Sequence, residues 1–420
     1  MFEKVRGPLV GGKYLHWDEL QYREPPKGLS REHWWVLLKL NRLAQRQITP
    51  FSGKSSAPFG YVLADPIPQR LHEIDLRAGG QIKMPEQVTN HETKDEYYVS
   101  SLIEEAITSS QLEGAVTTRQ VAKEMLRTGR PPHDRSERMI LNNFLTMQRI
   151  GTIKDRPLSK ELIFEIHRQV TDETLDDPSA AGRFRREDEA VGVYDDTKGK
   201  PVLLHQPPRA SELEDRVQRL CDFANRSEPF VHPVIRSIVL HFMLGYDHPF
   251  VDGNGRTARA LFYWSMLRHG YWLAEFISIS GIVIKVPAQY SRAFLFTETD
   301  EGDLTYFILY HLEIVMKAIA SLYEYIARKT EEIRTVEAEL QGIELLNHRQ
   351  QALVRHAMRH PGKRYTVEEH RRSHNVSYES ARSDLLDLDR RGLLAKRKEG
   401  KKWIFTPQPP LAVRLAALKT

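Results

Sequence analysis

His248-Pro249-Phe250-Val251-Asp252-Gly253-Asn254-Gly255-Arg256-Thr257-Ala258-Arg259 lies between two segments of helical period. Upstream, Ile235, Ile238, Val239, Phe242 and Tyr246 fall on one face, and downstream Ala258, Leu261, Phe262, Ser265 and Met266 do the same. The glycines therefore stand in a loop, 248–254, at the N-terminus of the second helix. A helix N-terminus presents unpaired N–H groups and the positive end of the dipole, and so receives phosphate. Gly253 and Gly255 lack a Cβ and let a ligand approach the backbone. Arg256 and Arg259, three apart, share a helix face and suit a polyphosphate. Asp252 offers one carboxylate, enough for Mg²⁺ when phosphates bring other ligands. His248 can take a proton near neutral pH.

Other readings of this stretch fit less of it. Gly253 to Ala258 matches the dinucleotide fingerprint G-x-G-x-x-A, but that fingerprint follows a strand, and the segment before it has helical period. The Gly-Lys-Ser/Thr ending of a Walker loop is absent, and a calcium loop needs acids at alternate positions. A plain helix–loop–helix turn accounts for Asp-Gly and Asn-Gly, not for the whole stretch.

These residues resemble the motif of the Fic family, H-P-F-x-D/E-G-N-G-R-x-x-R, at every defined position. The resemblance implies a nucleotidyltransferase that moves AMP from Mg·ATP to a Ser, Thr or Tyr hydroxyl of a target protein. It implies His248 as general base and Asp252 as Mg²⁺ ligand. It implies that Gly253, Asn254 and Gly255 hold the α- and β-phosphates, that Arg256 contacts phosphate and that Arg259 reaches the γ-phosphate. Pro249 and Phe250 would pack and hold the loop. The residue before the motif is often apolar in the family. Here it is Asp247, and contact with His248 and exposure to solvent both stay open.

The resemblance extends over about 95–330. Residues 182–208 read as strand, turn and strand, with Gly182–Val193 and Pro201–His205 as the arms and Asp195–Lys200 as the turn. An isolated hairpin is marginally stable, so it needs a reason. It is similar to the family's flap, which holds a target segment by strand addition. Tyr290, with Asp303-Leu304-Thr305, falls where the family often has residues near the adenine pocket.

Ser109-Ser110-Gln111-Leu112-Glu113-Gly114 ends a helix expected from Asp95 to Glu113, with Gly114 as C-cap. A carboxylate in the last turn opposes the helix dipole and calls for a partner. The segment is similar to the family's inhibitory motif, S/T-x-x-x-E-G/N. That implies that Glu113 pairs with Arg259 and that Ser109 helps hold the helix. ATP would then bind with its α-phosphate misplaced for in-line attack. The competing implication is removal of AMP, with Glu113 positioning a water.

The expected fold class is mainly α, a Fic-type helical core with a small β-hairpin flap and a C-terminal winged helix. Residues 1–94, with His16-Trp17 and Trp34-Trp35, form an N-terminal cover region without legible chemistry. A helix is expected at Arg31–Arg46, and Ile48–Gln69 is rich in turn formers. The catalytic core covers 95–330, with the inhibitory helix at 95–114 and the flap at 182–208. Within it, helices are expected at Ser136–Ile150, Ser211–Asn225 and Val234–Tyr246, and Leu304–Leu345 holds two helical stretches. Residues 331–351 are a helical linker. Residues 352–420 resemble a winged helix-turn-helix, with helices at Ala352–Met358 and after Thr366 and Ser377, and a lysine-rich wing around Lys396–Lys402.

A net charge of +5 permits an acidic partner without requiring one. The basic wing points to DNA, and a DNA-binding regulator with a nucleotide-sensing core is the second function expected. The single cysteine, Cys221, excludes a disulfide framework and a Cys-rich zinc site, and fits a reducing, cytoplasmic compartment. Met1–Lys13 lacks the apolar core of a secretory signal, and no membrane span is expected, for want of about 18 consecutive apolar residues. A homodimer that buries the inhibitory region completes the expectations.

Overall fold

Most helix starts are written in the side chain just before them. Ser30, Thr118, Asp134, Ser159, Thr366 and Ser377 each accept a hydrogen bond from a backbone N–H of the turn that follows. The computed structural model describes residues 5, 7–53, 57–79, 91–189, 191–195, 202–340, 345–360, 362–399 and 402–417. The chain divides into two units, Met1–Leu322 and Tyr323–Thr420.

In the first unit, α1 (Arg31–Leu43) leads into an antiparallel hairpin, β1 (Gln47–Ser52) and β2 (Pro58–Tyr61). Next come α2 (Ile67–Ala78), α3 (His91–Leu112), α4 (Arg119–Thr128), α5 (Arg135–Ile153) and α6 (Lys160–Val170). A second hairpin pairs β3 (Val193–Asp195) with β4 (Val202–His205). Then follow α7 (Leu213–Asn225), α8 (Pro233–Asp247), α9 (Asn254–Arg268), α10 (Pro287–Thr299) and α11 (Thr305–Leu340), which continues past Leu322 into the second unit. The core centres on α8 and α9, buried nearly all round. Helices α3, α5 and α6 pack against α9, and α7 packs against α8. This pair carries the 248–253 loop at its junction, so the site rests on two buried helices.

Several expectations change. Residues 48–69 hold β1, β2 and the start of α2. Their order is tertiary: Gly60 pairs with Asp303, and the Arg46 guanidinium donates to Pro58 O, Glu301 O and Gly302 O. α5 begins at Arg135, one residue before the expected Ser136, with Asp134 as its cap. The first flap arm is not a strand over 182–193. An ion pair between Arg183 and Glu189 closes a turn there, and pairing is confined to Val193–Asp195. The turn expected at 195–200 falls mostly outside the described residues. The stretch from 304 onward is one helix, α11, because no Gly or Pro interrupts 305–340. Against expectation, its part Thr305–Arg328 is long and apolar enough to cross a membrane, but 61% of that window is buried inside the protein, as in a core helix.

In the second unit, α12 (His348–Arg359), α13 (Val367–His374) and α14 (Tyr378–Arg390) precede an antiparallel hairpin, β5 (Leu394–Glu399) and β6 (Lys402–Pro407). α12 starts earlier than the expected Ala352, because Asn347 and Gln350 form a capping box. Val354, Leu385, Leu388, Leu393 and Phe405 fill its core. Buried Asp384 receives Arg349, Asn347 and His370 and ties three elements together. The tip of the hairpin, 400–401, lies outside the described residues.

Candidate active site

His248 follows the last residue of α8 in a left-handed backbone conformation, φ 45°. The chain then turns through 249–253 into α9. Asn254 braces that turn: its Oδ1 accepts from Phe250 N at 2.9 Å and its Nδ2 donates to Phe250 O at 2.8 Å. The Asn254 side chain is thus committed to the loop, and the backbone N–H groups at the start of α9 are the donors that face outward for an anion. Gly253 has φ 82°, and a Cβ there would stand 2.5 Å from Thr171 Cγ2.

The His248 ring is held by the backbone. Its Nδ1 lies 3.1 Å from Gly245 O, and a carbonyl can only accept. The proton therefore sits on Nδ1 and leaves Nε2 bare. Burial lowers the imidazole pKa below its usual value, against the opposing pull of Gly245 O and Glu113, so the ring is neutral at pH 7. Asp247 does not serve this ring. Arg216 Nε donates to its Oδ1 at 2.6 Å, and Arg216 Nη2 donates to Ser52 O at 2.9 Å. Burial pushes the Asp247 carboxyl up to about 6 in spite of Arg216.

Arg256 is fully buried, and only part of it is satisfied. Nη1 donates to Val170 O at 2.7 Å, Nη2 lies 3.6 Å from Asp252 Oδ2, and Nε and Nη2 have no hydrogen-bond partner. Arg259 is held on three sides: Nε donates to Ser109 Oγ at 2.8 Å, and Nη2 to Ser109 O at 3.0 Å and Glu113 Oε1 at 2.7 Å. Gly114, at φ 90°, ends the turn beyond α3 that carries Glu113. Burial raises the Glu113 pKa, but Arg259, Arg256 and His248 outweigh it and hold the carboxyl below its usual range. A Cβ on Gly255 would lie 2.0 Å from Glu113 Oε1, so this carboxylate occupies the space over the phosphate loop.

Asp252 is 41% exposed, with its Oδ1 accepting from Gly253 N at 2.6 Å and its Oδ2 3.7 Å from Arg135. Among the described residues no three His, Cys, Asp or Glu gather as a metal site. One open carboxylate fits Mg²⁺ only when phosphate and water supply the other ligands.

His248, Gly255, Arg259, Glu113 and Tyr290 line one cavity of ≈ 190 Å³, walled by Phe294 and Leu295. The Tyr290 hydroxyl meets His241 Nε2 at 2.9 Å, and burial pushes the phenol up to about 12. Asp303, Leu304 and Thr305 do not line this cavity. Asp303 accepts from Tyr14 Oη at 2.5 Å and Thr305 Oγ1 from Val62 N at 2.9 Å, so this segment anchors the N-terminal region instead.

Three residues of the site escaped the sequence reading. His167 stacks on Phe250 with ring centroids 3.7 Å apart. Its Nδ1 accepts from Gly182 N at 2.9 Å, so its Nε2–H donates to Asp252 O at 2.9 Å. Burial drops its pKa to about 4, so it stays neutral. The signal was a lone histidine beside Ile163, Ile166 and Val170 of α6. Arg185 donates through Nε to His248 O at 2.9 Å, and His205 at the end of β4 sits 2.7 Å from both Glu298 Oε2 and Tyr246 O. Arg185 and His205 gave no signal, because their carbonyl partners come near only in the fold.

Residues 157–266 match the Fic/DOC family. Two curated relatives are named protein adenylyltransferase Fic. The one from Drosophila willistoni is 32% identical over 170 residues, 40% of this chain and 28% of that protein. The one from Nematostella vectensis is 28% identical over 188 residues, 44% of this chain and 35% of that protein. The matches thus span about a third of these relatives' lengths. The crystal structure of a Fic family protein from Desulfovibrio desulfuricans G20 has a TM-score of 0.52 at 18% identity, covering 81% of this chain and 94% of that one, a likeness of fold. Residues 157–266 thus resemble the Fic/DOC family in sequence, and the chain resembles a Fic family protein in fold.

Proposed function

We propose that this protein transfers AMP from ATP to a hydroxyl of a target protein and that Glu113 holds the activity down. The observation that carries the reading is the bare Nε2 of His248, a residue that lines the same cavity as Gly255 and Arg259. In the step proposed, Nε2 takes the proton of the target hydroxyl. The hydroxyl oxygen bonds to the α-phosphorus, the bond from that phosphorus to the bridging oxygen breaks, and pyrophosphate leaves. The first N–H groups of α9 and the unpartnered donors of Arg256 suit the phosphates, and Arg259 suits the γ-phosphate once Glu113 departs. Mg²⁺, held by Asp252 and the phosphates, would offset their charge. Among the described residues the β3–β4 sheet has two strands, which leaves edges on which a target segment can pair.

The test is transfer from ATP labelled at either the α- or the γ-phosphate. The α-label should enter protein and the γ-label should not, and His248→Ala should abolish transfer. Transfer of the γ-label, or full transfer by His248→Ala, overturns the proposal. Release of AMP from AMP-modified protein, without forward labelling, would favour the reverse reaction.

A second reading concerns the second unit as a winged helix that contacts DNA. β5–β6 exposes Arg397, Lys398 and Lys402, and the Lys396 ammonium stands 4.4 Å from the Trp403 ring centre. Tyr378 and Arg382 are exposed on α14. Phosphate contacts of this kind make affinity fall steeply with salt. Fragment binding that does not weaken between about 50 and 200 mM salt, or that survives Arg397→Glu with Lys398→Glu, rejects this reading.

A further inference from the structure

A cavity of ≈ 580 Å³, larger than the catalytic one, lies where β1, the end of α7 and the start of α8 meet. A neighbouring cavity of ≈ 380 Å³ shares Arg226, Phe230, Val231 and Arg236 with it. Arg236, in the first turn of α8, stands at the junction of the two. It is 4% exposed. Its guanidinium makes one hydrogen bond, Nη1 to Phe223 O, and a ring contact with Phe223 at 5.0 Å. No carboxylate among the described residues lies within ion-pair distance of it. The acids that line the two cavities are otherwise placed: Asp222 faces Arg226 at 3.6 Å and accepts from Gln218, exposed Glu228 sits on the rim, and exposed Asp155 lines the second cavity beyond ion-pair distance of Arg236. Burial pulls the Arg236 pKa down, as expected for a cation without a counter-charge.

A buried, unpaired cation is costly to the fold, and an anion beside it removes the cost. Arg219 adds positive charge at the rim of the larger cavity, where Arg226 is matched by Asp222. Its walls are apolar and aromatic, from Tyr61, Phe223 and Phe230, and Phe230 is 72% exposed at the mouth. The volume falls in the range of small-molecule sites, roughly 300–1,000 Å³. Convergent polar donors on an apolar wall are the usual make-up of such a site. The cavity shares no lining residue with the catalytic one.

We propose that this cavity binds a small organic anion, its acidic group on Arg236 and a flat apolar body between Tyr61, Phe223 and Phe230. The site is independent of the reading of His248 and would stand if that reading failed.

The test is titration calorimetry of the full chain with 1-naphthyl phosphate, 1-naphthoate and uncharged 1-naphthol. At least one of the two anions should bind with a stoichiometry of one, and the tighter names the acidic group. 1-Naphthol should bind at least tenfold more weakly. Excess ATP should not displace the anion, which separates this cavity from the phosphate loop. Arg236→Met should weaken binding at least tenfold while melting at or above wild type, since it removes an uncompensated charge. Phe230→Ala, at an exposed position that does not threaten folding, should weaken binding at least threefold. Absence of binding by both anions, displacement by ATP, or affinity untouched by both substitutions overturns the site. An Arg236→Met protein that melts well below wild type would make the guanidinium structural and overturn it too.

Discussion

Replacing Glu113 with glycine removes the one carboxylate on Arg259 and clears the space over Gly255. The substitution spares secondary structure, because α3 ends at Leu112. The 2.7 Å contact is a charge-assisted hydrogen bond, of a kind worth about 1.5–3 kcal/mol. A triphosphate must displace that contact to reach Arg259. At tenfold per 1.4 kcal/mol, its removal should raise AMP transfer about 10- to 150-fold. The assay is the initial rate of α-labelled ATP incorporation, with ATP affinity measured in parallel. Ser109 still holds Arg259 in the variant, so the rise reports the carboxylate and not loss of the arginine's position. A rise below about threefold in rate, with ATP affinity unchanged, would refute the reasoning. The pH dependence carries a sign of its own. The Glu113 carboxyl is held below its usual range, so the pair persists at and above that range. Wild type should therefore remain inhibited from neutral pH down to its usual pKa of 4.5, and should lose the contact only as pH falls through the depressed value.

Other outcomes follow from the same geometry. In the Glu113→Gly background, His248→Ala should lower label transfer about 10²- to 10⁴-fold with an unchanged melting curve. In the single Glu113→Gly variant, activity should persist as pH falls through 6.5 and decline only below it, because burial lowers the His248 pKa; a midpoint above 6.5 contradicts this. Asp247→Ala should destabilise the fold by about 1–3 kcal/mol in urea unfolding, since it takes the 2.6 Å partner from buried Arg216 and leaves it exposed Glu212 at 3.7 Å; a change under about 0.5 kcal/mol would show the pair to be dispensable. His167→Ala in the Glu113→Gly background should reduce turnover more than ATP affinity, because it unpins the Asp252 carbonyl and the Phe250 ring; equal loss in both would place its effect on binding.

Local chemistry was open to reading along the chain. Apolar spacing on either side of 248–254 marks two helices, and glycines between them mark a tight junction. Thr366 and Ser377 announce helix starts, since a cap bonds a backbone N–H only a few residues on. Even the partnership of Glu113 was foreshadowed by a charge at the wrong end of its helix. Spacing and caps depend on neighbours within a turn or two, so the sequence by itself determined them, whereas the partner of Glu113, Arg259, lies 146 positions away and was supplied by the fold.

The tertiary structure decided everything whose partner is remote. Gly60 finds Asp303 only in the fold, which is why a stretch read as turns became β1 and β2. Asp247 turns to Arg216, 31 positions away, and His167 reaches the Asp252 carbonyl 85 positions away. The unsatisfied guanidinium of Arg256, the bare Nε2 of His248 and the lone charge of Arg236 are likewise properties of surroundings. Helical period and caps say which residues face inward. They do not say which carbonyl or carboxylate waits there, because burial and hydrogen bonding are set by chain segments that meet only when the whole unit packs.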